Sequence, residues 1–110
     1  MNEKEKLLID NFVEYVVFAD QAYQKKKYNT AVTLYFKAIC AAVDLFLLRK
    51  ERFVPSSHAD RFQILKEKYS EIYELVDKDF PFYQESYNQK MNKEAAEVLR
   101  DDARKIKEMG

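Results

Sequence analysis

AVTLYFKAICAAVDLFLL, residues 31–48, contains no glycine, no proline and only three polar side chains, Thr33, Lys37 and Asp44. With about 100° between successive residues on a helical wheel, those three fall within about 40° of one another. The rest of the circumference is apolar. A helix of that kind sits at the centre of a bundle, packed by neighbours on several sides. The stretch approaches the length of a membrane span, but Lys37 and Asp44 interrupt it and favour a buried bundle helix. In so small a protein its surplus apolar surface also predicts a subunit contact, so a homodimer is the expected state.

The same shortage of helix breakers holds on both sides of this stretch. Gly110 is the only glycine, and Pro55 and Pro81 are the only prolines, among 110 residues. β-Architectures need glycine-rich turns between many short strands, so the expected class is all-α. The expected architecture is an up-and-down bundle of four or five helices in a single domain, residues 1–110. The first helix is predicted from about Glu3 to Lys25, with Leu8, Phe12, Tyr15, Val16, Ala19 and Tyr23 on one stripe and Lys25–Lys27 complementing its C-terminal dipole. The second runs from Tyr28 or Asn29, a candidate N-cap, to Arg49 or Lys50. Pro55 marks a loop, Ser57 caps the third helix with Asp60 as an imperfect capping box, and that helix is predicted from His58 to Val76. A break over Asp77–Pro81 leads into a short fourth helix ending near Gln89. Asn92 caps a last helix, Lys93–Glu108, whose inward residues are Ala95, Ala96, Leu99, Ala103 and Ile106.

Charge excludes some functions. Nineteen basic and nineteen acidic residues cancel, so the overall field attracts neither nucleic acid nor an anionic membrane strongly, though a local basic patch is compatible with it. Cys40 is the only cysteine, which excludes an internal disulfide or a thiolate metal cluster and suits a small buried side chain in a reducing cytoplasm. The charged, amphipathic start MNEKEKLLIDNF has no cleavage-type tail, so the expected location is cytoplasmic, with no membrane partner. No glycine-rich phosphate loop occurs, and the carboxylates lack the paired inward spacing of a di-iron bundle. No cofactor and no metal are expected.

Tyr28-Asn29-Thr30-Ala31-Val32-Thr33-Leu34-Tyr35-Phe36-Lys37-Ala38-Ile39, preceded by Ala22-Tyr23, resembles a tetratricopeptide hairpin. The pattern occurs once, whereas stacked repeats need about three copies. The chain as a whole is more similar to the HEPN superfamily, small helical-bundle proteins common in prokaryotes. Three segments carry that resemblance. They are the helical pair opening Tyr28-Asn29-Thr30-Ala31 and running to Leu48-Arg49, the loop Pro55-Ser56-Ser57-His58-Ala59-Asp60-Arg61-Phe62, and Tyr83-Gln84-Glu85-Ser86-Tyr87 before Glu94-Ala95-Ala96-Glu97-Val98-Leu99. The resemblance implies an HEPN-like bundle and a nucleotide, an RNA or a nucleotidyltransferase-type protein as partner. Nuclease members carry an arginine and a histidine near the start of the last long helix. Here that region reads Ser86-Tyr87-Asn88-Gln89-Lys90-Met91, with neither. Arg52 and His58 have a comparable spacing but stand before the third helix, so no catalytic residues are assigned. The alternatives are a ribonuclease toxin of a toxin–antitoxin pair using Arg52 and His58, and a tetratricopeptide-like interaction scaffold.

The candidate ligand-binding residues are Asp44, His58, Arg61, Tyr83 and Tyr87. Arg61 follows His58 by three residues, on the same face of a helix. Asp44 lies on the polar stripe of the central helix and needs a partner if buried. The two observations together predict that Asp44 meets His58 or Arg61 across the second and third helices. Such a cluster is either a polar pocket for a phosphate or base, or a buried ion pair that fixes helix register. His58, the only histidine, is either an acid/base group in a cleft or a first-turn residue bonded across the bundle. Tyr83 and Tyr87, four apart, are the aromatic rings expected in an exposed groove, where rings beside lysines or arginines can stack bases.

Overall fold

A computed structural model describes residues 1–110 as five helices and no strands. They are α1 (Glu3–Gln24), α2 (Tyr28–Glu51), α3 (His58–Lys68), α4 (Ser70–Glu85) and α5 (Lys93–Met109). The three lysines after α1 form the turn rather than its last helical turn, and Lys26 takes a left-handed φ of 62° there. So short a connection makes α1 and α2 an antiparallel hairpin. Helix α5 packs along α2, while α4 bridges α2, α3 and α5. Helix α2 is long and apolar enough to cross a membrane by composition, but most of that window is buried beneath the other helices.

Burial follows the predicted stripes. On α2, Tyr35, Phe36, Ile39, Leu45 and Leu47 have almost no exposed surface. Each large apolar side chain removed from water in this way contributes about 1.5–3 kcal/mol. Alanines at 19, 22, 31, 38 and 42 let α1 and α5 approach α2 closely. All five inward residues expected on α5 are buried. The surplus apolar surface of α2 is therefore consumed within one chain. Apolar side chains without cover lie on α1 instead: Leu7, Val13, Val17 and Phe18 are each 44–54% exposed.

Three local expectations are corrected. The single helix predicted over His58–Val76 divides at Tyr69, whose backbone (φ −136°, ψ 65°) is both the end of α3 and the start of α4. Tertiary contacts dictate that break. The Tyr69 ring packs edge-on to Phe46 at 4.9 Å, and its hydroxyl donates to Glu51. The predicted break over Asp77–Pro81, and with it a separate helix to Gln89, is absent: Pro81 lies inside α4. Proline removes one backbone hydrogen bond there, and packing of Phe80 and Tyr83, on either side of Pro81, against Phe36 holds the helix across the gap.

Asn29 does not cap α2, which starts after Lys27 with no side-chain cap. It serves the α4–α5 connection instead. Its Nδ2 donates to the carbonyls of Ser86 (2.9 Å) and Gln89 (2.7 Å), and its Oδ1 accepts from the Met91 N–H (2.9 Å). The caps predicted at Ser57 and Asn92 are present, with side-chain oxygens accepting from the Asp60 and Ala95 N–H groups. Asp60 completes its part of the motif through Ser56, whose hydroxyl donates to it at 2.8 Å. Asn29→Ala leaves three backbone groups of the connection without their partner, and is expected to lower stability by about 1–3 kcal/mol in urea denaturation. A loss no larger than that of the exposed neighbour Thr30→Ala would contradict this role.

Candidate functional site

Helices α1, α2, α3 and α4 enclose a cleft of about 200 Å³. Its floor is α2, through Phe36, Lys37, Cys40 and Asp44; Asn11 and Tyr15 come from α1, His58 from α3 and Tyr83 from α4. Lys37 and Asp44 belong to the polar stripe of α2, which thus faces this cleft. The third member, Thr33, is used structurally, its hydroxyl donating to the Asn29 carbonyl and lying 3.4 Å from the Ser86 hydroxyl.

The predicted meeting of Asp44 with α3 occurs, and it involves both candidates in series. Arg61 grips Asp44 with a two-pronged fork, Nε to Oδ1 at 2.8 Å and Nη2 to Oδ2 at 2.9 Å. The side chains are only 11% and 12% exposed. The remaining arm of the guanidinium, Nη1, lies 2.9 Å from His58 Nδ1. A guanidinium has only donors, so Nδ1 must accept, and the ring is neutral with its proton on Nε2. Burial and then the Arg61 charge hold the His58 pKa below its ordinary value; Asp44 opposes them and Lys37 adds to them. The unfolded chain therefore binds a proton here more readily. His58 favours the fold above its ordinary pKa, and that contribution is lost as pH falls through its lowered value.

The rest of the cleft is aromatic. Tyr83 stacks on Phe36 with centroids 4.8 Å apart, and Phe80 packs between His58 (5.8 Å) and Phe36 (5.6 Å). The Tyr83 hydroxyl lies 3.0 Å from that of Tyr87, and this bond, with burial, pushes the Tyr83 phenol up to about 12. Tyr87 itself is 72% exposed and stands outside the cleft as Tyr83's partner. Burial pushes the Cys40 thiol up to about 11, so it lines the cleft as a protonated, weakly polar group rather than a nucleophile. Among the predicted residues, then, Asp44, His58 and Tyr83 line the cleft, Arg61 supports it from behind, and Tyr87 borders it. Arg52 ends α2 in a left-handed conformation, exposed and outside the cleft, so its sequence spacing to His58 does not place the two in one site.

Sequence reasoning missed two further groups. Asn11, Tyr15 and Cys40 join the cleft only because α1 crosses α2 at that height. A separate cluster, Lys78, Asp79 and Asp102, lies between α4 and α5, and Lys78 Nζ donates to Asp102 Oδ2 at 2.9 Å. One signal was present: Ala95, Leu99, Asp102 and Ile106 recur at helical spacing, which places a carboxylate on the inward face of α5. No trio of metal-ligating side chains comes together anywhere in the chain. No family model, no curated protein and no solved structure matches this chain.

The fork makes the Asp44–Arg61 pair structural in a measurable way. Asp44→Ala strands a buried guanidinium and is expected to cost about 3–5 kcal/mol, whereas the paired change Asp44→Leu with Arg61→Leu should cost far less. Denaturant titration of both variants tests this. Equal losses for the single and paired changes would show that the fork carries no coupling.

Proposed function

We propose that this chain is a non-catalytic, HEPN-like binding domain of the cytoplasm whose cleft takes a nucleotide, free or as one unit of a single-stranded RNA. The observation that carries this reading is the composition of one cleft. A stacked aromatic wall of Phe36 and Tyr83, a histidine fixed as an Nε2–H donor, and the exposed ammonium of Lys37 stand around the same space. An aromatic wall suits a base, a neutral imidazole N–H suits a base or sugar acceptor, and a mobile lysine at the rim suits a phosphate. At about 200 Å³ the cleft suits one base or sugar, with the phosphate outside it near Lys37. The chain's net charge is zero, so attraction to phosphate has to be local rather than a property of the whole field.

The same groups are poorly placed for catalysis. Arg61 has all three arms engaged, Asp44 is neutralised by it, and the Cys40 thiol is protonated at neutral pH. His58 is left without a second acid or base. The test is isothermal titration with the four nucleoside monophosphates and with a short single-stranded RNA. Saturable binding is expected, weakened about tenfold by Lys37→Ala, which corresponds to about 1.4 kcal/mol. Binding of the RNA but of no mononucleotide would identify the oligomer as the ligand. No binding of either would overturn the reading, and metal-independent RNA cleavage lost in His58→Ala would replace it with a nuclease.

The same reading includes a homodimer, with its contact on α1 rather than on α2. Leu7, Val13, Val17 and Phe18 are the apolar side chains of α1 left uncovered. Sedimentation of the native chain is expected to give twice the 13.2 kDa chain mass. Phe18→Glu is expected to give the monomer. A native monomer at every concentration would refute this part of the proposal and leave the cleft's reading standing.

A further inference from the structure

Asp79 is the one carboxylate with no exposed surface, and neither of its oxygens has a hydrogen-bond partner. It continues the inward face of α4 after Ile72 and Val76 and looks toward α5, where Asp102 is also buried. Lys78 Nζ is bonded to Asp102 but lies 3.6 Å from Asp79 Oδ1, beyond hydrogen-bond reach. Two carboxylates thus share one half-exposed ammonium. With both ionised, one negative charge is left buried with no donor, an arrangement strongly disfavoured by desolvation and by like-charge repulsion. A single proton removes both penalties.

We propose that Asp79 and Asp102 hold one proton between them, in an acid–carboxylate hydrogen bond that latches α4 to α5 and opens when the proton leaves. Protonated Asp79 donates to Asp102, and Lys78 neutralises the carboxylate that accepts. The charged groups acting on Asp79 are Asp102 from α5 and Lys78 from its own helix, with none from α2 or α3. Burial and Asp102 push the Asp79 pKa up to about 8, against a smaller pull from Lys78. Between the ordinary aspartate value and that raised one, the folded chain holds a proton that the unfolded chain has lost. Stability conferred by the latch is therefore complete in acid, falls as pH rises through this window, and is gone above it. Phe80, the next residue, packs on Phe36 and His58, so α4 carries both the latch and one wall of the cleft. The latch does not depend on what the cleft binds.

Carbon-13 NMR of the native protein reads the proton directly: the Asp79 carboxyl resonance is expected to titrate well above those of the exposed aspartates. In parallel, urea midpoints are compared for the native chain and Asp79→Asn between about pH 5 and about pH 9, a range covering most of the window and its upper end. The asparagine amide donates to Asp102 without a titrating proton, so the midpoint difference should move in the variant's favour as pH rises. An Asp79 resonance titrating in the ordinary carboxylate range, or a difference that stays constant with pH, would overturn the latch. Should Asp79→Asn fail to fold, the native resonance alone decides.

Discussion

Helix α2 has to be covered on nearly every side, and the remaining helices are arranged by that requirement. Its apolar circumference cannot be satisfied by a single partner, so α1 closes one side through a three-lysine turn, α5 returns along another, and α4 reaches a third. The alanines facing α1 and α5 allow close approach, while Phe36, Ile39, Leu45 and Leu47 fill the space between. The polar stripe of α2 is treated differently: Lys37 stays exposed, and Asp44 is buried only with Arg61 as its partner. The cleft lies along that stripe because a helix can pack on it only by bringing a partner for its charge, as α3 does with Arg61.

Two buried carboxylates meet that constraint by different means. Asp44 is neutralised by a guanidinium whose planar fork matches both oxygens, and the third arm of the same group fixes the His58 tautomer. Asp79 has no such cation within bonding distance, and the lysine beside it is taken by Asp102. Charge can be removed there only by protonation. The first solution holds at any ordinary pH, since arginine does not deprotonate; the second is conditional on pH. One cluster accordingly supports the cleft as a rigid part of the bundle, and the other makes the α4–α5 contact responsive.

Aromatic residues connect these regions. Phe80 and Tyr83 on α4 extend the packing from Phe36 of α2 to the surface at Tyr87, with His58 between. The rings do two things at once. They pack beside His58, whose pKa is lowered by burial and by the Arg61 charge, and they leave a flat face in the cleft. The cleft takes its shape from helix packing and its polarity from one stripe, without a glycine-rich loop.

Local sequence pattern is enough to set the helical class, the central place of α2, the inward faces of α1 and α5, and the caps at Ser57 and Asn92. Each of these depends on residues three or four apart or on a single cap, and local physics suffices for it. That Asp44 would meet His58 or Arg61 was also legible, because a carboxylate on a nearly all-apolar helix demands a partner; that Arg61 takes both its oxygens was not. Tertiary structure alone decided the rest. The division at Tyr69 follows from its packing on Phe46, and continuation of α4 through Pro81 follows from burial outweighing one lost hydrogen bond. Asn29 looked like a cap, yet it serves a connection some sixty residues away in the chain. Asn11, Tyr15 and Cys40 enter the cleft, and Asp79 meets Asp102, only through the heights at which helices cross. Those heights are set by the summed packing of all five helices, which no local pattern encodes.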